Sequence, residues 1–222
     1  MGQTEPSTEI RGTLSRERVL ETAVALADRH GLEWLSMRKL AEEIGVAAMT
    51  LYYYVPNKTE LIDGMIDLVF GEIEPPALDV DWRTAMRRRA VSTRAALSRH
   101  RWAVGQMEGR TTHGPANLRL HDACLGCLRA AGFSLAMTVH AYSVQDAYIY
   151  GFALQETDMS PETADDFAAE AQRQMDAYEE ILADYPNLVE VVGGHVATAG
   201  YDYESEFLFG LDLILEGLER LR

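Results

Sequence analysis

Between Ser36 and Lys58 the chain gathers groups suited to the surface of a DNA duplex. Met37, Leu40, Ala41 and Ile44 follow Ser36 at helical spacing, and Gly45 stands where a left-handed residue must stop that helix. A very short second helix fits Ala47 to Tyr53. Val46 and Leu51 reach into a small core. Ala47, Ala48, Met49, Thr50, Tyr52, Tyr53 and Tyr54 are left to face outward: small residues first, then a hydroxyl and phenols. Such a helix fits a major groove about 12 Å wide. The competing reading is a tight helical turn in an ordinary bundle.

Other constellations carry less chemistry. Cys124-x-x-Cys127 has redox or zinc spacing, with His121 one turn earlier. The surrounding pattern is helical and no second ligand pair follows, so two small buried thiols are expected, with no metal and no cofactor. There is no H-E-x-x-H and no phosphate loop, and no nucleophile with its base and orienting partner can be assembled locally, so no enzyme activity is expected. Arg83, Arg87, Arg88, Arg89, Arg94, Arg99 and Arg101 resemble a nucleic-acid patch, but their spacing favours a solvated helix face or pairing with the acidic second half.

The elements that must position these residues are helical throughout. Residues 1–12 are polar and read as a loose tail. Ser15 caps a helix with Leu20, Ala23, Val24 and Ala27 on one face and Gly31 at its end. Asn57 and Glu60 form a capping box for a fourth helix carrying Leu61, Met65, Leu68 and Val69. Pro75–Asp81 reads as a linker. Trp82–Arg99 is a helix. Gly114-Pro115 opens another, carrying Leu118, His121, Leu125 and Leu128, and Gly132 closes it. Ser134 opens a helix of about five turns. A helix from Ser160-Pro161, with Phe167, Met175, Tyr178 and Leu182, is expected to run to Pro186. Gly193, Gly194 and Gly200 read as a mobile loop. The last helix, Asp202–Arg222, is apolar almost all round, which calls for cover by a second subunit. The predicted fold is all-α: a three-helix head over 13–60 and a larger ligand-binding and dimerisation domain over 61–222.

Charge is uneven. The net charge is −15 over 222 residues, yet residues 82–129 hold ten basic and two acidic side chains, and residues 130–222 hold three and 18. This balance argues against indiscriminate coating of nucleic acid, but not against a small, locally neutral reading head. The first twelve residues lack an apolar stretch, so no signal peptide is expected. The uncharged run Ala130–Gln145 is shorter than the roughly 20 residues of a membrane span. A soluble, cytoplasmic protein with no membrane contact is expected.

SMRKLAEEIGVAAMTLYYYVPNKTELIDGM resembles the DNA-binding domain of the tetracycline-repressor family, with its pattern T-x-R-x-L-A-x-x-x-G-V-x-x-x-T-L-Y-x-H-x-x-N-K. LSRHRW, LRAAGFS, YGFALQE and FLFGLDLILEGLERL are similar to the family's C-terminal regulatory domain, so the likeness runs from about residue 14 to 222. It implies double-stranded operator DNA, a small-molecule effector and a homodimer through the C-terminal helices. By the resemblance, Ser36 belongs to the DNA-facing segment and Arg38 contacts a base or phosphate. Ala48, Met49 and Thr50 read base edges and thymine methyls. Tyr52, Tyr53, Tyr54 and Lys58 complete the interface, mostly at phosphate oxygens, which fix register without reading sequence.

The chain departs from the tetracycline repressor. Tyr54 replaces a His, and Ala48 and Met49 replace Gln and Pro, so a different operator is expected. Glu74 and Arg89 stand where a drug-binding His and Asn are found, and Gln106 or Met107 replaces a magnesium-binding His, so no magnesium–tetracycline response is expected. The resemblance places an effector pocket among the middle helices, with Trp102, Met107, His113, Asn117, His121, Tyr142, Gln145, Tyr148, Phe152, Met175 and Tyr178 as candidates. An apolar, aromatic or polycyclic ligand suits that set, and the surplus carboxylates allow a cationic one. The alternatives are a helical carrier or enzyme with a degenerate head, or a plain dimeric interaction module.

Overall fold

Capping side chains set most of the helix starts. In the computed structural model, which describes residues 14–107, 114–157, 167–197 and 202–222, Ser15, Ser36, Asn57 and Asp81 each accept a backbone N–H in the first turn of the helix that follows. The helices are α1 (Arg16–His30), α2 (Met37–Ile44), α3 (Ala48–Tyr54), α4 (Lys58–Gly71) and α5 (Trp82–Arg99). A 3₁₀ turn (Arg101–Ala103) leads into α6 (Val104–Met107), then α7 (Pro115–Ala130) and α8 (Leu135–Thr157). The remainder is α9 (Phe167–Ala177), α10 (Glu179–Leu182), α11 (Pro186–Val191), a π-helical turn (Val192–Val196) and α12 (Tyr203–Glu219). No strand occurs among the described residues. None of their helices is long and apolar enough to cross a membrane.

Two apolar cores form, and α4 is built into both. Val19, Leu20, Ala23, Leu26 and Ala27 of α1 close over Leu40, Ala41, Leu51 and Val55, and α4 adds Leu61 and Met65. From Ile66 onward the same helix joins the second core through Val69 and Phe70, with α5, α7, α8 and α12. A displacement of α4 therefore bears on both cores at once. Asp67, in the C-terminal half of α4, accepts the backbone N–H groups of Ala116 and Asn117 at 2.9 and 3.0 Å. It supplies the N-terminal cap that Gly114 cannot give α7. A Cβ on Gly114 would lie 2.1 Å from the Asp67 carboxyl carbon.

Four local expectations are corrected. The buried face of α7 is Ala116, Leu120, Cys124, Cys127 and Leu128, while Leu118 is exposed. The helix expected to reach Pro186 breaks at Tyr178, whose φ of −113° and ψ of 18° are not helical. Pro186 does not end a helix: it occupies the first turn of α11, where its missing N–H costs nothing. Gly193 and Gly194 lie in the π-helical turn rather than in a loop. Ser160, Pro161, Gly200 and the tail over 1–12 lie outside the described residues.

Candidate functional site

The head presents α3 outward by anchoring it from behind. Gly45 adopts φ 79° and ψ 36°, the left-handed cap that turns α2 into α3. Leu51 is fully buried and fixes the rotation of α3. Met49 is then 78% exposed, Tyr53 86% and Tyr52 42%. Thr50 is also exposed, Ala48 is half-buried, and Tyr54 packs partly against the head core. Arg38 is exposed beside them, with Glu42 at 3.7 Å, too distant to hold it tightly. Ser36 and Lys58 are engaged internally. The Ser36 hydroxyl accepts from Lys39 N at 3.3 Å, and the Lys58 ammonium donates to the Leu35 carbonyl at 2.8 Å. The exposed surface of α3 thus joins an apolar tip, a hydroxyl and two phenols, the combination that meets thymine methyls and phosphate oxygens.

The larger body encloses a polar cluster. Arg89 on α5 is 1% exposed and donates to Asp146 on α8 at 2.6 Å. Burial pulls the guanidinium toward neutrality, but the Asp146 charge outweighs it and the cation is held. Tyr142 lies against the same pair, with Arg89 5.7 Å above its ring and His121 stacked on it at 4.4 Å. Burial, reinforced by the Asp146 carboxylate, pushes the Tyr142 phenol far above its ordinary range. Burial also pushes the Cys124 thiol up to about 11. Two buried polar atoms, Arg89 Nε and Gln145 Oε1, have no hydrogen-bond partner among the described residues. One is a donor and the other an acceptor.

The other pocket candidates fall in three places. Tyr148 and Phe152 pack on Phe207 of α12, ring centroids 5.5 and 5.1 Å apart, and the Tyr148 hydroxyl donates to the Phe207 carbonyl at 2.9 Å. Trp102 sits where head meets body and donates to Asp28 of α1 at 2.7 Å. Met107 packs partly against the body core, and Asn117 lies at the α7 start capped by Asp67. Met175 and Tyr178 belong to α9–α11, which has no fully buried residue among those described, and Tyr178 is exposed. His113 lies outside the described residues. The structure thus brings together His121 and Tyr142, adds Arg89, Asp146 and Cys124, and leaves Gln145 buried three residues along α8 from Tyr142, its amide donating to the Ala141 carbonyl. Asp146 gave no sequence signal beyond its place four residues after Tyr142 on one helix face.

The arginine run of α5 pairs with acidic partners. Arg87 meets Asp212, Arg94 meets Glu156 and Arg99 meets Glu72, at 2.8, 2.6 and 2.7 Å. Their charges are thus spent largely inside the chain rather than on a phosphate-binding stripe.

Comparison with known proteins matches two parts of the chain to family models. Residues 19–65 match the model of bacterial regulatory proteins of the tetR family, and residues 75–222 match that of the tetracyclin repressor-like C-terminal domain. The chain belongs to the tetR family. It is a ligand-responsive, DNA-binding transcriptional regulator. It is 36% identical to the HTH-type transcriptional repressor DrrR1 of Streptomyces coeruleorubidus, over 97% of this chain and 81% of that one. It is 30% identical to the class C tetracycline repressor protein of Escherichia coli, over 94% and 92%. Among solved structures it is similar to the Streptomyces coelicolor tetR-family protein ActR in complex with actinorhodin, with a TM-score of 0.76 and 27% identity over 94% of this chain and 98% of that one.

Proposed function

We propose that this tetR-family chain is a repressor that binds an inverted-repeat operator as a homodimer and is released by an apolar, aromatic or polycyclic effector. The head, residues 13–60, reads DNA through Arg38, Ala48, Met49, Thr50, Tyr52, Tyr53 and Tyr54. The domain over 61–222 binds effector and dimerises. The observation that carries this reading is α3 itself: a helix pinned by one buried leucine that holds Met49 and Tyr53 almost wholly in solvent. Outward apolar side chains on α8 and α12, among them Leu135, Val139, Phe209 and Leu213, suit a second copy of the chain. Two heads on one dimer then meet successive major grooves about 34–36 Å apart. A ligand that favours another spacing lowers operator affinity by its differential affinity for the two states.

The effector site is assigned to the cluster of His121, Tyr142, Gln145 and Arg89. Aromatic walls favour a planar apolar body, and the orphaned donor and acceptor favour a polar edge. The solved complex of ActR with actinorhodin supports a small-molecule ligand in this kind of domain. Arg89, standing where a tetracycline repressor holds a drug-binding Asn, is committed to Asp146, which supports the absence of a magnesium–tetracycline response. Selection of duplexes from a random library by the full-length protein tests the DNA reading. An inverted repeat with half-sites one helical turn apart is expected, and weak, sequence-blind retention would overturn it. Micromolar magnesium–tetracycline binding in isothermal titration would overturn the effector assignment.

A further inference from the structure

Head and body meet at a buried histidine. His100 follows α5 and is 7% exposed. Its Nδ1 lies 2.8 Å from Oδ1 of Asp28 on α1, and its Nε2 lies 3.1 Å from Oε1 of Glu72, just past α4. Only the imidazolium has a proton on each ring nitrogen, so only that form donates to both carboxylates at once. Each carboxylate has a second anchor. Trp102 Nε1 donates to the same Asp28 oxygen, and Arg99 donates to Glu72 Oε2, both at 2.7 Å. Burial pushes the Glu72 carboxyl up, but the bonds from Arg99 and His100 outweigh it and hold it below the usual range.

The surroundings let this joint respond to protons. Asp28 and Glu72 line a groove of about 550 Å³ with Glu21, Asp67 and Arg119, so solvent reaches the carboxylates although the imidazole is covered. The charged groups around His100 are Asp28 from α1, Glu72 from the end of α4, Arg99 from α5 and, across the groove, Glu21 from α1, Asp67 from α4 and Arg119 from α7. Arg101, next in sequence, is turned away and donates to the Glu156 carbonyl. With a neutral imidazole, one of the two carboxylates loses its histidine donor.

We infer that His100 is a positioning residue for operator binding, latching α1 of the head to the ends of α4 and α5 as an imidazolium and loosening the head when it loses a proton. Selected DNA needs two heads at fixed spacing, and a loosened head must be re-ordered at a cost in affinity. Scrambled DNA makes no such demand. Selected-site affinity therefore falls as pH rises, and non-specific affinity does not follow it.

The test uses the full chain. Histidine-¹⁵N spectra report the His100 ring protons from about pH 6 to about pH 8.5, and anisotropy over the same span compares a library-selected duplex with a scrambled one. The expected result is a ring protonated on both nitrogens at the acid end, with the selected-to-scrambled affinity ratio falling by about threefold or more as one proton leaves. His100→Gln is expected to flatten that profile. A ring carrying one proton throughout, or a His100→Gln profile as steep as the unmodified one, overturns the latch. Should His100→Gln not fold, Glu72→Gln serves in its place, with the same expected flattening. The DNA arm rests on the operator reading. If no duplex is selected, that reading fails, and the latch is judged by spin labels at Glu17→Cys and Arg83→Cys. Their distance distribution must broaden as the ring loses its proton, and an unchanged distribution overturns the inference.

Discussion

Replacing Asp146 by Asn removes the partner of the most deeply buried charge described in the protein. Arg89 is 1% exposed and Asp146 17% exposed, so little solvent can take over the role of the carboxylate. Breaking such a pair by removing one member costs about 3–5 kcal/mol, because an uncompensated charge is left in low dielectric. The orphaned Arg89 Nε makes the site less tolerant still, since one of its donors already lacks an acceptor. For a chain of this size each kcal/mol moves the midpoint by about 2–4 °C, so a fall of about 10 °C is expected. Arg89→Met combined with Asp146→Asn leaves no buried charge and is expected to recover most of that loss. The assay is thermal unfolding by circular dichroism at one protomer concentration, because dimerisation would shift the midpoint by mass action. A single variant within about 1 kcal/mol of the unmodified protein, or a double variant no better than the single, would refute the argument.

Other outcomes follow from the same geometry. Ser36→Ala removes the hydroxyl that caps α2 and should cost about 1 kcal/mol of stability with no change in base preference, which separates capping from DNA contact in melting and binding assays. Arg38→Ala should lower the slope of log affinity against log salt by about 1, while Met49→Gln should change the preferred base and leave the slope alone. Cys124, its thiol raised to about 11 by burial, carries little thiolate below that pH, so alkylation near pH 8 should be slow in the folded protein and fast after unfolding. Gly114→Ala forces a carbon into the Asp67 carboxyl and should loosen the joint between α4 and α7, read as a lower melting midpoint that Gly126→Ala, with open space around it, does not reproduce.

The head was legible because its determinants are local. The caps at Ser15, Ser36 and Asn57 act within three residues, and Gly45 states its own backbone conformation. The capping box was only half legible: Glu60 N reaches the Asn57 side chain, while the Glu60 carboxylate takes the Asn57 amide. The bounds Trp82–Arg99 match the pattern, since Asp81 caps one end and Ala85, Met86, Ala90 and Leu97 recur at helical spacing on the buried face. The stretch from α9 to α11 was the least legible. Its helices bury little, so the apolar period that marks a core-facing stripe is weak there, and proline served to start a helix as readily as to stop one.

The effector cluster and the head–body joint were beyond the reach of local pattern. Arg89 meets Asp146 across 57 positions, and His100 meets Asp28 across 72. Spacing along the chain says which residues share a helix face, but not which two faces meet or which cation takes which carboxylate. Sequence alone settled that the chain is helical and that it carries a reading head, and it placed Met49, Thr50, Tyr52 and Tyr53 outward together with Ala48 and Tyr54, which pack partly against the head core. Packing decided that one arginine is sealed inside the body, that two carboxylates share one imidazole, and that α4 belongs to both cores. Short-range hydrogen bonds determine the former within a turn or two of chain. Solvent exclusion and charge pairing determine the latter, and they exist only once distant helices are pressed together.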